Sequence, residues 1–288
     1  MQVLLVCVIL EAFVITLLLV LVHKKSKEYT EAYKKFVAFE SQKDISSSPE
    51  IQTGNNDYIA MLVHELRSPL SVIRGASDLL IKELATLEAN QIHMLLSQIR
   101  KSSTGLLGLV NDILDVSKMK AGKFEIHKVR GNLIELIKEV TSYIDPLIQV
   151  KGIHLTLDVK SDYNELAFDA ERLRQVLNNL LSNAIKFTPK DGEITIRVIQ
   201  IANGIEIRVS DTGIGIPDMD KETLFHKFMQ GHNNGNSDKD KGTGLGLVIA
   251  KGIIEAHGGK IWIEDNKPKG ACFIFDLPIN SFGGEVAL

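Results

Sequence analysis

The sequence predicts an α+β protein built in three parts: an N-terminal membrane helix, a helical hairpin that forms a four-helix bundle with a second copy, and an α/β sandwich. Three patterns support this prediction. Residues 2–22 are almost continuously apolar, residues 57–121 repeat apolar side chains at helical spacing, and β-rich runs alternate with helical ones from residue 122 onward. A chain of 288 residues also suggests about two domains.

The first segment, residues 1–22, is a predicted transmembrane helix. Within residues 2–22 only Gln2, Glu11 and Thr16 are polar, and at about 1.5 Å per residue this run just spans a hydrocarbon core of about 30 Å. A cleaved signal peptide is the competing interpretation, but the basic residues follow the run and no small-residue cleavage pattern is present. Glu11 is either tolerated in a marginal segment or placed to meet a partner helix.

Residues 23–56 are predicted to be a juxtamembrane tether, because they are charged and helix-prone and are interrupted at residues 46–49 and 54–56. The lysines that follow the apolar run predict that everything beyond it is cytoplasmic, by the positive-inside tendency; these are Lys24, Lys25, Lys27, Lys34 and Lys35. Only a residue or two precedes the helix, so we expect no sensor domain outside the membrane. A signal would then arrive through the membrane helix, the tether or an accessory partner.

Residues 57–121 form the predicted hairpin. The apolar side chains of its first helix fall within about 60° of one direction at about 100° per residue; these are Ile59, Leu62, Val63, Leu66, Leu70, Ile73 and Leu80. His64 lies about 140° away on the same wheel and Ser68 about 180° away, so both point outward. A lone histidine is often an ordinary surface residue, but this one stands beside Glu65 and before Pro69, which should bend the helix and open access to the ring.

The second helix repeats the apolar stripe after a predicted break near residues 84–87, and Gly122 ends it. Its stripe consists of Ile92, Leu95, Leu96, Ile99, Leu106, Val110, Ile113 and Leu114. Two helices alone bury too little apolar surface, so the sequence predicts a four-helix bundle made from two chains, that is, a homodimer.

Residues 122–281 form the predicted sandwich, with helices on one face of a sheet, and residues 282–288 form a tail. The β-rich runs are 152–159, 193–199, 204–209, 260–264 and 272–276, and the helical runs are 132–150, 170–186 and 245–257. Residues 231–241 contain no apolar side chain. They are predicted to be a mobile lid or a plain solvated loop, with Phe225 and Phe228 as its apolar anchors.

Three ordered motifs in the sandwich predict a pocket for ATP and Mg²⁺. The carboxylate of Asp211 can accept a hydrogen bond from an amine such as that of adenine, and Gly213 and Gly215 let the backbone approach the ligand. Asn179 and Asn183, one helical turn apart, offer amide oxygens to magnesium, and Lys186 can neutralise a phosphate. The third motif opens a helix whose backbone N–H groups would face the triphosphate; it contains Gly242, Thr243, Gly244, Leu245 and Gly246.

Composition limits the partners and the compartment. A net charge of −3 argues against nucleic acid as a partner. Cys7 and Cys272 lie in segments expected in different environments, so the sequence predicts no disulfide framework and a reducing compartment for the soluble part.

Further motifs resemble those of bacterial sensor histidine kinases of two-component systems, whose Bergerat-type ATPase fold is shared with heat-shock chaperones, type II topoisomerases and mismatch-repair ATPases. The run His64-Glu65-Leu66-Arg67-Ser68-Pro69-Leu70 is similar to the phosphoacceptor motif of that family. Residues 169–177 lead into the asparagine motif as in the family pattern, residues 224–228 resemble its phenylalanine motif, and residues 270–273 its closing glycine strand. The resemblance covers roughly residues 57 to 280.

This resemblance implies a protein-histidine kinase that phosphorylates itself on His64 and passes the phosphoryl group to an aspartate in the receiver domain of a response regulator. Glu65 is then the base or the orienting partner of His64. Ser68 stands where the family commonly has a threonine that helps orient the water for dephosphorylating the regulator, which predicts weak phosphatase activity. The implied location is the bacterial inner membrane, with a single span and a cytoplasmic catalytic part.

Two other functions compete with this one. A nucleotide-binding signalling scaffold lacking phosphotransfer would share the pocket, although the presence of His64, Glu65 and Asn183 argues against it. An ATP-driven conformational machine like the chaperone relatives would lack an outward histidine on a dimer hairpin. Little more than ten residues follow the final predicted strand, so we expect no receiver domain in this chain.

Overall fold

The computed structural model describes residues 49–160, 165–221, 223–225 and 244–279, with side chains from residue 62 onward. The chain divides into two compact units, Met1–Leu62 and Val63–Leu288. The described part of the first unit is a helical segment, residues 49–62. The predicted transmembrane helix at residues 1–22 lies outside the described residues, and none of the helices within them is long and apolar enough to cross a membrane.

The predicted hairpin is confirmed by two long helices, α1 (Pro49–Glu83) and α2 (Ala89–Lys120). Helix α1 continues through Pro69. The backbone N–H groups of Thr86 and Leu87 close its end by donating to the Glu83 carbonyl oxygen at 2.9 and 3.0 Å. Helix α2 ends before Gly122, which takes a positive φ of 64° that favours glycine.

The sandwich follows in the order β1 (Val129–Asn132), α3 (Leu133–Lys151), β2 (His154–Lys160), β3 (Glu165–Phe168), α4 (Ala170–Phe187), β4 (Glu193–Ile201), β5 (Gly204–Asp211), α5 (Asp218–Lys221), α6 (Gly246–His257), β6 (Ile261–Asp265) and β7 (Ala271–Pro278). Five strands form one sheet in the order β2-β4-β5-β7-β6, in which only the β2–β4 pair is parallel. The five strands and three long helices predicted for this part are confirmed.

The two faces of the sheet differ as period-two alternation requires. On one face, the inward side chains of β4, β5 and β7 are almost completely buried beneath α4 and α6; examples are Ile194, Ile196, Ile205, Ile207 and Phe275. On the other face, Arg197 pairs with Asp158 at 2.8 Å, and Arg208 pairs with Glu206 at 2.6 Å. The helices therefore cover a single face, as predicted.

A second, two-stranded sheet was not predicted. Strands β1 and β3 pair antiparallel, with Gly131 opposite Leu166. Both strands have only four residues, and β1 reads Val-Arg-Gly-Asn without apolar alternation. Their pairing depends on contacts between distant segments. The Phe168 ring of β3, for example, packs over Gly131 of β1, where an added Cβ would lie 3.2 Å from the ring.

Candidate functional site

The buried carboxylate of Asp211 is the polar centre of the predicted nucleotide pocket. Asp211 ends β5 and is 3% exposed. Its Oδ1 accepts hydrogen bonds from the backbone N–H groups of Gly213 at 2.8 Å and Ala271 at 3.3 Å. Burial raises the pKa of Asp211 above its ordinary value, and these two hydrogen bonds partly oppose the rise. No other described residue donates a hydrogen bond to Oδ2, so that oxygen is available to an external donor.

Glycines hold the backbone close to this carboxylate where no side chain would fit. A Cβ on Gly213 would lie 2.6 Å from the Phe187 carbonyl oxygen and 2.7 Å from Asp211 Oδ1. Gly270 has a φ of +124°, and a Cβ there would overlap the Asp211 carbonyl oxygen. The same carbonyl accepts a hydrogen bond from Asn266 Nδ2 at 2.8 Å. The backbone around Asp211 is therefore fixed by packing, and its Oδ2 can accept a hydrogen bond from a ligand.

Helix α4 carries the predicted magnesium ligands and is joined by one of them to α6. Asn179 Nδ2 donates to the Gly246 carbonyl oxygen at 2.9 Å. This bond uses the amide nitrogen and leaves Asn179 Oδ1 open. Asn183 is half-buried, and its amide makes no hydrogen bond with another described residue. Amide oxygens suit Mg²⁺, which takes one or two protein ligands and completes its shell with water and phosphate oxygens.

The phosphate end of the predicted pocket is described in part. Gly244 has a φ of +67°, Leu245 is completely buried, and Gly246 begins α6, so the free N–H groups of a helix terminus follow Leu245. Lys186 is exposed near the end of α4, with Nζ 4.9 Å from the centre of the Phe187 ring. Gly242, Thr243, Phe228 and the predicted lid at residues 231–241 lie outside the described residues and stay predictions.

The predicted phosphoacceptor group lies on the outer side of α1. His64 and Ser68 are exposed and Glu65 is half-buried. Their i,i+4 spacing places His64 and Ser68 on one face. No hydrogen bond or ion pair joins His64 to another described residue. The outward orientation expected from the helical wheel is confirmed, while the chemical roles of the three residues stay predictions.

One buried histidine near the pocket helices was missed by sequence reasoning. His257 is 2% exposed at the end of α6. Its Nε2 accepts a hydrogen bond from the Asp169 backbone N–H at 3.0 Å, so Nδ1 carries the proton and donates to the Ile253 carbonyl oxygen at 2.8 Å. Burial lowers the pKa of His257. The ring therefore joins the end of α6 to the N-cap residue of α4 in its neutral form.

The sequence contains a weak signal for one of the two missed residues and none for the other. The only signal for His257 was its place just before the glycine pair that ends an apolar run. Asn266 gave no signal, because it lies in a polar turn and reaches Asp211 only through the fold.

Two family models match the chain. Residues 55–122 match the His Kinase A (phospho-acceptor) domain, and residues 168–281 match the Histidine kinase-, DNA gyrase B-, and HSP90-like ATPase family. The chain is also 38% identical to sensor histidine kinase GacS of Pseudomonas protegens over 228 residues, which cover 77% of this chain and 24% of that protein. It spans less than half the length of the first curated relatives that it matches.

Two solved structures share the fold. Full-length ShkA in complex with AMPPNP is 31% identical with a TM-score of 0.58, over 77% of this chain and 45% of that one. Histidine kinase ThkA in complex with the response regulator protein TrrA is 27% identical with a TM-score of 0.57, over 82% of this chain and 65% of that one. From its two domains and these relatives, the chain belongs to the sensor histidine kinases of two-component systems.

Proposed function

We propose that this chain is an ATP-dependent protein-histidine kinase that phosphorylates itself on His64 and transfers the phosphoryl group to an aspartate of a response regulator. The observation that carries the proposal is the combination, in one chain, of an exposed His64 on a helical hairpin and a buried Asp211 with one open oxygen in an α/β sandwich. Solved relatives bind AMPPNP in one case and a response regulator in the other, which supports the same two partners here.

Each pocket residue has a specific part in holding ATP. Asp211 Oδ2 accepts a hydrogen bond from the adenine amine, because Oδ1 is already held by Gly213 and Ala271. Asn183, with Asn179 Oδ1, would hold Mg²⁺, and the bound ion would supply positive charge that offsets the charge of the phosphates. We propose that Lys186 and the backbone from Gly242 to Gly246 would neutralise and bind the phosphate oxygens.

The chemistry needs an unprotonated ring nitrogen on His64. Glu65 is proposed as the base or orienting partner: it would hold the proton on the other ring nitrogen during the reaction, so that the attacking nitrogen keeps its lone pair. The attacking nitrogen forms a bond to the γ-phosphorus as the bond to the ADP oxygen breaks, in line. The receiver aspartate then attacks the same phosphorus and releases His64. Ser68 lies on the same face of α1 as His64 and would help orient the water that dephosphorylates the regulator. We expect this phosphatase activity to be weak.

The hairpin is proposed to pair with a second copy as a four-helix bundle. Apolar side chains that belong to the predicted stripes remain about half exposed in the single chain, with Leu70 at 51%, Leu96 at 53% and Leu114 at 50%. Half-exposed apolar side chains along a helical pair favour burial against another pair. The division into residues 57–121 for this domain and 122–281 for the ATP-binding domain is part of the same proposal.

The location is also a proposal. Residues 1–22 would span the bacterial inner membrane once, and residues 23–56 would tether the catalytic part on the cytoplasmic side. Glu11 would be either tolerated in this marginal segment or placed to meet a partner helix. The support comes from the apolar run and the lysines that follow it. Fractionation of cells expressing the full chain, before and after deletion of residues 2–22, tests this. Unchanged membrane association after the deletion would contradict the proposed span.

The activity is tested by incubating the full chain with ATP labelled on the γ-phosphate. Wild-type protein should acquire an acid-labile, base-stable label, as a phosphoramidate does. His64→Gln should remove the label, whereas His93→Gln, at another exposed histidine of the hairpin, should keep it. ATP binding should survive in both variants.

The result separates the kinase from the alternatives. ATP binding without any label would favour a nucleotide-binding scaffold. ATP hydrolysis without label on His64 would favour a conformational ATPase.

A further inference from the structure

The turn between β6 and β7 is bound to the backbone of Asp211. Asn266 lies in this turn and is half-buried. Its Nδ2 donates a hydrogen bond to the Asp211 carbonyl oxygen at 2.8 Å. A second hydrogen bond closes the turn itself, because the Asn266 backbone N–H donates to the Gly270 carbonyl oxygen at 3.1 Å. The side chain that reaches Asp211 therefore projects from a turn with a defined backbone.

The same turn also contacts the carboxylate of Asp211 and the loop that follows it. Ala271, at the start of β7, donates its backbone N–H to Asp211 Oδ1 at 3.3 Å. A Cβ on Gly215 would lie 3.4 Å from the Gly270 carbonyl oxygen, so the backbone of this loop runs beside the turn. The turn and the strand after it therefore hold Asp211 by both its carbonyl and its carboxyl group.

An ion pair anchors the other end of that loop at the base of the turn. Lys221 ends α5, and its side chain is only 17% exposed. Its Nζ lies 2.7 Å from Oδ1 of Asp265, the last residue of β6, and 2.6 Å from Asp218 Oδ1. Residues 212–217 are thus fastened at their beginning by Asn266 and at their end by Asp265. We call Asp265, Asn266 and Lys221 the turn clamp.

The turn clamp acts on the part of the pocket that would bind the base. Asp211 Oδ1 is held by Gly213 and Ala271, which leaves Oδ2 for the adenine amine. A hydrogen bond weakens steeply when its distance or angle departs from the ideal, so the position of Oδ2 matters. No hydrogen bond or ion pair joins a clamp residue to Asn179 or Asn183 within the described part of the chain.

We propose that the turn clamp positions the open oxygen of Asp211 for the adenine amine, and that Asn266 is thereby a positioning residue that sets the preference of the pocket for adenine. An acceptor that is fixed before the ligand arrives needs no further ordering on binding, which favours affinity for the correctly matched base. The proposal rests on the proposed role of Asp211 in holding ATP. It adds residues that act through Asp211 and its loop.

The first test compares two nucleotides that differ only in the group that Asp211 would bind. ATP and purine riboside triphosphate, which lacks the exocyclic amine, are titrated calorimetrically with Mg²⁺ into the full-length protein. Asn266→Ala should raise the Kd for ATP roughly 3- to 10-fold, as expected for one lost hydrogen bond. Asn266→Asp should raise it further, because a carboxylate oxygen then faces the Asp211 carbonyl oxygen. The Kd for purine riboside triphosphate should not change in either variant.

The matched control is Asn203→Asp, the same substitution at an exposed asparagine in the turn between β4 and β5. It should leave both Kd values unchanged. Equal losses for the two nucleotides in Asn266→Asp, or no loss, would overturn the turn clamp. If the wild type itself bound both nucleotides equally, the role of Asp211 in binding adenine would be wrong, and the clamp with it.

A second variant keeps the proposal testable if the Asn266 variants do not fold, which thermal unfolding without nucleotide would show. The Asp265 side chain is 60% exposed, so Asp265→Ala should fold normally. It should raise the Kd for ATP roughly 2- to 4-fold, as expected for a partly exposed ion pair, and Asp265→Glu should restore the wild-type value. Wild-type affinity for ATP in Asp265→Ala would overturn the clamp.

The kinetics of His64 labelling separate failure of the clamp from failure of the kinase proposal. Asn266→Ala should raise the KM for ATP and leave kcat unchanged, because the contact with the base is made equally before and during phosphoryl transfer. A lower kcat with an unchanged KM would overturn the clamp. A wild type that binds ATP but never labels His64 would instead contradict the proposed function, and the nucleotide titrations would then decide the clamp by themselves.

Discussion

Replacing Asp211 by asparagine separates nucleotide recognition from folding at the centre of the pocket. Asparagine keeps an oxygen for the N–H groups of Gly213 and Ala271, at 2.8 and 3.3 Å from Oδ1 in the wild type. Those two donors fix the orientation of the asparagine amide, because a flipped amide would place its NH₂ group against the N–H groups of Gly213 and Ala271. The NH₂ group then takes the place of Oδ2, where the adenine amine needs an acceptor.

The size of the effect follows from the bond that is lost. A hydrogen bond to a charged group contributes about 1.5–3 kcal/mol, so the Kd for ATP should rise about 10- to 150-fold. The free energy of unfolding, in contrast, should not decrease. Burial raises the pKa of Asp211, which means that its ionised form is disfavoured in the folded protein at neutral pH, and the neutral amide removes that cost. The Tm without nucleotide should therefore stay the same or rise.

The assay is calorimetric titration of ATP and GTP into wild type, Asp211→Asn and the exposed control Asp145→Asn, with thermal unfolding of each. GTP should lose less affinity than ATP in Asp211→Asn, because guanine presents an oxygen where adenine presents its amine. A lower Tm together with equal losses for both nucleotides would refute the reasoning, since it would indicate a structural role for Asp211.

Three other predictions test the surroundings of the pocket and the hairpin. Gly270→Ala should lower the free energy of unfolding by more than about 3 kcal/mol in a denaturant titration, because position 270 has a φ of +124° and an added Cβ would overlap the Asp211 carbonyl oxygen. Gly122→Ala is the control: position 122 has a φ of +64° and open space around it, so this substitution should cost about 1 kcal/mol. Because the pKa of His257 is lowered in the folded protein, its contribution to stability is complete above the unfolded pKa of about 6.5 and is lost as the pH falls through and below that value. Between pH 7.5 and 5.5 the Tm should therefore fall less steeply in His257→Leu than in wild type. An equal slope in both proteins would contradict the buried neutral ring. Ser68→Thr should accelerate the decay of a phosphorylated regulator, because threonine holds its hydroxyl in fewer rotamers. Ser68→Ala, which has no hydroxyl, should abolish the decay that the kinase catalyses. Equal decay rates for wild type and both variants would contradict a role for this hydroxyl.

The contact between α2 and α4 includes a carboxyl group with a raised pKa. Burial, together with the neighbouring Asp115, raises the pKa of Asp112 on α2 to about 6, although a hydrogen bond from Gln175 opposes the rise. Gln175 lies on α4, and its Nε2 also donates to Asp115 Oδ2 at 3.4 Å, so the Asp112 carboxyl lies beside a contact between α2 and α4. The ionised form of Asp112 is thus less favoured at this junction than in an unfolded chain.

The sequence by itself determined the order of the elements and the outward orientation of His64. Apolar spacing of 3.6 residues along α1 and α2, and of two residues along β4 and β5, depends only on local geometry and on which side chains avoid water, so it can be read without the fold. The glycines next to Asp211 were also visible, because a positive φ or a close backbone approach demands that residue wherever it occurs.

Only the tertiary structure decided which distant residues meet. Four contacts join segments separated by 33 to 88 positions in the chain: the pairing of β1 with β3, the hydrogen bond from Asn266 to Asp211, the hydrogen bond between His257 and the N-cap residue of α4, and the ion pair between Asp115 and Arg172. Asp115 reads in the sequence as one more polar residue on an amphipathic helix. Asp115 is buried because it contacts Arg172 and Gln175 of α4, and no local sequence pattern indicates a contact between segments so far apart in the chain.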